Sequence, residues 1–128
     1  MATKLQTEKQ QVVKRSLSEP DDIRPLGKGR LEQVRLGSKL IVSRITLRPG
    51  WRWSVDVKPL AKTDLCEASH TQYILSGRLV IQMADGTQTE LVAGDAAIIP
   101  PGHDAWVAGY EAVSVIDFSG EMADYGRT

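Results

Sequence analysis

Cys66, His70 and His103 are the only cysteine and the only two histidines in the chain. Cys66 and His70 stand four residues apart, and Asp64 lies two residues before Cys66. Both separations are even, so on an uninterrupted strand the three side chains would share one face. Thiolate, imidazole and carboxylate converging on one ion suit Zn²⁺ or Fe²⁺ better than Mg²⁺. Cys66 and His70 also have the types needed for a thiolate–imidazole nucleophile, but no third, positioning group is evident. Read more plainly, Cys66 is a small buried apolar residue. His70 is then an interior side chain held by hydrogen bonds, and His103 shapes the turn Pro100-Pro101-Gly102-His103-Asp104. Ser-His-Asp, P-loop and dinucleotide signatures are absent.

The aromatic residues are sparse, at 5% of the chain, and three of them are tryptophan: Trp51, Trp53 and Trp106. An indole offers a flat apolar wall with one N–H donor. Trp53, Trp106 and Tyr73 are therefore candidates to line a ligand pocket with Cys66, His70 and His103.

Positioning such side chains is a task for strands. Leu40–Leu47 is β-branched and stops at Pro49-Gly50. Trp51, Trp53, Val55 and Val57 alternate with Arg52, Ser54, Asp56 and Lys58, which predicts another strand. Strand signals recur over 72–75, 78–83, 87–92, 96–99, 105–107 and 112–118, separated by Ser76-Gly77, Asp85-Gly86, Ala93-Gly94-Asp95 and Pro100-Pro101-Gly102. Short strands at roughly ten-residue spacing point to a sandwich or barrel. Residues 1–22 are polar and turn-rich, and read as an N-terminal arm or tail, either disordered or packed on a partner. Residues 23–128 make one domain.

The composition is that of an ordinary globular chain, with 41% hydrophobic and 25% charged residues in 128. Sixteen basic residues balance 16 acidic ones, so the basic excess that releases phosphate counterions is missing and a nucleic-acid partner is not expected. No apolar run approaches the ~20 residues needed to span a bilayer, and the N-terminus does not read as a signal peptide. With its single cysteine, the chain is expected to be cytoplasmic.

The run from Asp64 to Trp106 resembles the two motifs of the cupin family, G-x5-H-x-H-x3-E-x6-G and G-x5-P-x-G-x2-H. Tyr73-Ile74-Leu75-Ser76-Gly77 looks like the close of the first, and Gly94, Pro100 and Gly102 fit the second at the family's spacing. The resemblance covers about residues 40–118. It implies an all-β fold, an antiparallel double-stranded β-helix or jelly-roll barrel, whose lumen binds small molecules and often a divalent metal. It also implies a homodimer, through sheet edges and exchanged N-terminal strands. The family's ligands do not carry over by identity. Asp64 and Cys66 fall where it has two histidines, His70 where it has glutamate, and Ala105 where it has the last histidine. His103, two residues before Ala105, is a candidate fourth ligand if the Pro-Pro-Gly turn re-aims it. Three functions stay open: a lumen that binds a small organic ligand without metal, a metal-dependent oxygenase or isomerase built on Cys66 and His70, and a structural dimerising module.

Overall fold

The computed structural model describes residues 10–37 and 40–126. Nine strands dominate: β1 (Asp22–Pro25), β2 (Gly29–Leu36), β3 (Leu40–Leu47), β4 (His70–Ser76), β5 (Arg78–Met83), β6 (Gln88–Val92), β7 (Ala96–Ile99), β8 (His103–Ala108) and β9 (Val113–Asp117). Two single-turn helices, α1 (Trp53–Asp56) and α2 (Lys58–Ala61), separate β3 from β4, and a 3-10 turn covers Glu121–Ala123.

The strands form two antiparallel sheets. One has six strands in the order β1-β2-β3-β9-β4-β7, and the other three, in the order β6-β5-β8. Alternation fixes which side chains face the space between them. In β4, His70, Gln72 and Ile74 are buried while Thr71, Tyr73 and Leu75 are exposed. In β9, Val113, Val115 and Asp117 are the buried set, and in β8 His103, Ala105 and Val107 are buried together. The apolar core runs through Leu31, Ile45, Ile74, Leu79 and Val115. Gly77 allows the β4–β5 reversal, at φ +78° and with the backbone at Ala112 and Val113 too close to admit a Cβ.

The all-β expectation and the strands from 72 to 118 hold to within a residue or two at most ends. The strand expected over 51–58 is instead α1 and the start of α2. Trp53 and Val57, four residues apart, are buried, whereas Val55 is 61% exposed. Two carboxylates stabilise these turns. Asp56 accepts from Arg52 N (2.8 Å), a local bond of the kind that competes with a sheet ladder, and Asp104, 50 residues away, accepts from Ser54 N (3.1 Å). Pro59 then starts α2 near its first position, where its missing N–H is tolerated.

β1 and β2 carried no clear strand signal, because their inward positions hold buried polar groups. Arg24 and Gln33 face a C-terminal segment (118–126) that folds back across one end of the sheets. The Arg24 guanidinium donates to the carbonyls of Ala123 and Tyr125, and Gln33 Nε2 donates to Met122 O at 2.8 Å. Met122, carried by this strap, is fully buried. Residues 10–21 have no strand or helix, and the first nine residues of the expected arm lie outside the described range.

Candidate functional site

Cys66 lies in the loop before β4. An isolated antiparallel bridge pairs it with His103 at the start of β8, with Cys66 N donating to His103 O at 2.8 Å and Gly102 N to Cys66 O at 2.7 Å. His70 opens β4 on the facing sheet. The loop and the two strands thus bring Cys66, His70 and His103 together, all buried, with one ligand atom from each within 4.8 Å of the others. Cys66 Sγ is 3.6 Å from His70 Nε2.

Both imidazoles are fixed from behind. His70 Nδ1 lies 3.0 Å from Asp117 Oδ2, and an ionised carboxylate only accepts, so Nδ1 carries the proton and Nε2 is left for Cys66. His103 Nδ1 donates to Pro100 O at 2.7 Å, which likewise frees its Nε2. Asp117 accepts two further bonds through Oδ1, from Ser119 N (2.8 Å) and Ser119 Oγ (2.6 Å), and one from Gln72 Nε2 at Oδ2 (3.0 Å).

The electrostatics follow from this arrangement. Burial alone would push the Cys66 thiol up, but hydrogen bonds from His103 and His70 outweigh it and bring the group to about 6. Burial disfavours the His70 cation, yet Asp117 and Cys66 raise it to about 9. Asp117 is also penalised by burial, and His70 and Ser119 still hold it below the usual carboxylate range. Both shifts favour a thiolate beside an imidazolium. Tyr125 reaches the site from the strap, with its ring edge-on to His70 at 5.9 Å between centroids. Burial and then the charge on Cys66 push its phenol well above its ordinary value.

Two spaces adjoin the cluster. An inner chamber of about 30 Å³ lies between the sheets, walled by His70, Gln72, His103, Trp53 and Tyr125 among others. That is room for one or two water molecules. An outer cleft of about 330 Å³ lies under the strap, lined by Cys66, Val57, Leu60 and Glu121, and by Trp53 and Tyr125 again. Cys66 belongs to the cleft wall, His70 and His103 belong to the chamber wall, and Trp53 and Tyr125 to both.

The remaining sequence candidates fall outside the cluster. Asp64 is solvent-exposed and pairs with Lys58 at 3.5 Å, because residues 64–69 form a loop rather than the strand that would have put it beside Cys66. Tyr73 points outward from β4 and is 42% exposed. Trp106 turns away from the chamber side of β8 and lies under the Arg52 guanidinium, 4.2 Å from the ring centroid. His103 needs no re-aiming, since it shares the buried side of β8 with Ala105. Asp117, Gln72 and Tyr125 were missed. Strand parity marks the first two, since Gln72 follows His70 by two residues and Asp117 ends the alternating Val113–Asp117. Nothing local marks Tyr125.

Set beside solved structures, the chain is similar to a protein of unknown function from Acidithiobacillus ferrooxidans, at 22% identity over 78% of this chain and 88% of that one, with a TM-score of 0.57. KdgF from a Halomonas species matches at 18% identity, covering 80% and 89%, with a TM-score of 0.56. An RmlC-like cupin from Shewanella frigidimarina matches at 17%, covering 77% and 83%, with a TM-score of 0.51. No family model and no curated protein matches. At these identities the likeness is one of fold: the chain shares the fold of these structures, an RmlC-like cupin among them. Among the described residues, no helix is long and apolar enough to cross a membrane.

Proposed function

We propose that this chain is a cupin that holds one divalent metal ion on Cys66, His70 and His103, and binds a small organic molecule beside it from the outer cleft. The observation that carries this reading is the pair of oriented imidazoles. Each histidine has its Nδ1 hydrogen committed, one to a carboxylate and one to a carbonyl, which is how metal-ligating histidines are usually fixed. The donor set also fits in size. Sulfur and nitrogen ligands of a tetrahedral Zn²⁺ lie about 3.5 Å apart, and Cys66 Sγ and His70 Nε2 are separated by 3.6 Å. One soft and two borderline donors favour Zn²⁺ or Fe²⁺. Ala105 leaves the family's last ligand position without a donor, and His103, one strand period earlier, takes its place.

Three protein ligands leave an open position, as in catalytic rather than structural zinc sites. A metal bound there would act as a Lewis acid toward a coordinated oxygen. The protein's own part is to orient His70 through Asp117, to hold the thiolate against His103 and His70, and to limit water with Trp53 and Tyr125. Titration with Co²⁺ tests this directly. A thiolate-to-cobalt absorption band should saturate at one equivalent, and should be lost in Cys66→Ser.

A second reading rests on Asp117, the positioning group the sequence did not reveal. Asp117, His70 and Cys66 form a carboxylate–imidazole–thiolate series suited to nucleophilic catalysis. It predicts turnover of an acyl substrate by metal-free protein, with a covalent adduct on Cys66. We also propose that the chain is a homodimer, in support of which Tyr73, Leu75 and Ile98 expose apolar surface on the outer face of β4 and β7.

A further inference from the structure

Two buried polar atoms at the inner chamber have no hydrogen-bond partner among the described residues: Trp53 Nε1, a donor, and Gln72 Oε1, an acceptor. Trp53 is 1% exposed and Gln72 7%. Gln72 is held with its amide nitrogen toward Asp117 at 3.0 Å, and a carboxylate that already accepts four bonds offers the amide oxygen nothing, so a flip is unfavourable. Trp53 begins α1 and is packed in the core on Val57 and its neighbours. Its indole is close enough to favour ionisation of Tyr125, but no hydrogen bond of normal geometry joins the two. Trp51 shows the contrast, donating to Leu26 O at 2.9 Å.

Buried polar groups in native proteins are almost always paired. Here the side chains that carry a buried donor and a buried acceptor both line one chamber of about 30 Å³, together with His70 and His103. We infer that the chamber is a site for a hydroxyl oxygen, which accepts from Trp53 Nε1 and donates to Gln72 Oε1. A hydroxyl does both at once. A carboxylate, an ether or a halide cannot serve Gln72, and an ammonium cannot serve Trp53. The chamber admits one or two non-hydrogen atoms, so the hydroxyl belongs either to water or to the tip of an alcohol whose body lies in the cleft across Trp53 and Tyr125. The inference deepens the metal-and-ligand reading by naming the group received, and it rests on that reading only for placing this group beside a metal.

The test uses ¹⁵N-labelled full-length protein, with and without one equivalent of zinc. Three indole N–H signals are expected from the three tryptophans, and Trp53→Phe assigns the one of interest. Benzyl alcohol and toluene are titrated in parallel, and transfer of magnetisation from water to the indole proton is recorded. If an alcohol is the source, benzyl alcohol shifts the Trp53 signal saturably and toluene does not, and Gln72→Met weakens benzyl alcohol at least tenfold. If water is the source, neither probe shifts the signal, but it shows a water contact that Gln72→Met removes. Trp53→Phe keeps an aromatic wall and guards against a misfolded Gln72 variant: it lowers affinity for benzyl alcohol but leaves any toluene affinity unchanged. Equal shifts from toluene and benzyl alcohol, or an indole signal with neither alcohol response nor water contact, overturn the inference. Zinc content is measured on the same samples. Zinc bound with a silent Trp53 contradicts the hydroxyl site alone, and a responsive Trp53 without zinc contradicts the metal reading alone.

Discussion

Asp117 is the residue that most changes how Cys66 and His70 are understood. Alone, those two residues are an ordinary core cysteine and a buried histidine. With Asp117 behind it, His70 keeps Nδ1 protonated and presents Nε2 to Cys66. Such outer partners typically contribute 10–100-fold to metal affinity. Asp117→Asn should therefore weaken zinc binding by about that factor, measured by competition with a chromophoric chelator. Asp117→Ala should weaken it at least as much, and Ser119→Ala by much less, because Ser119 reaches only the other carboxylate oxygen. The pairing of Cys66 with His103 was legible in neither motif. It depends on a bridge between a loop and the first residue of β8, a contact between positions 37 apart in the chain.

At the scale of elements, the glycine–proline frame was readable because backbone conformation dictated it. Gly77, Gly86, Gly94 and Gly102 all adopt positive φ, a region that favours glycine. Strands from 70 to 117 followed from their turns and their period-two burial. α1 was not readable, because Trp51–Lys58 alternates like a strand and the carboxylates that stabilise its turns belong to Asp56 and the distant Asp104. β1 and β2 were missed because Arg24, Glu32 and Gln33 occupy buried positions that apolar patterning assigns to hydrophobic residues.

Glu32 illustrates the energetic consequence. The Arg44 guanidinium bonds its carboxyl at 2.9 Å, and this bond, assisted by Arg30, holds the carboxyl below the usual range against the effect of burial. A carboxyl with a depressed folded-state pKa stabilises the fold above its unfolded pKa, and that contribution is lost as pH falls through the folded value. Glu32→Gln should cost about 1 kcal/mol at pH 7. The difference from wild type in urea melts should shrink as the pH is lowered below about 4.

Across the whole molecule, the site depends on a strap from the end of the chain. Arg24 on the first strand and Gln33 on the second bond three carbonyls of that strap, and Tyr125, which it carries, walls both chamber and cleft. Arg24→Met would leave the carbonyls of Ala123 and Tyr125 without those donors. It should destabilise the protein by about 2 kcal/mol and should speed alkylation of Cys66, read by mass spectrometry under native conditions. Equal alkylation rates in wild type and variant would show that the strap does not control access. The proposed homodimer is tested at the same scale. Ile98 is 79% exposed on β7, and Ile98→Asp should convert a dimer to a monomer in sedimentation equilibrium.

The central claim is that the cluster holds a metal. The most direct measurement is elemental analysis of untagged protein alongside a Cys66→Ala, His70→Ala double variant whose fold is confirmed by circular dichroism. About one zinc or iron per wild-type chain is expected, and none in the double variant. A wild-type protein that stays metal-free after incubation with zinc and with ferrous iron under reducing conditions would contradict it.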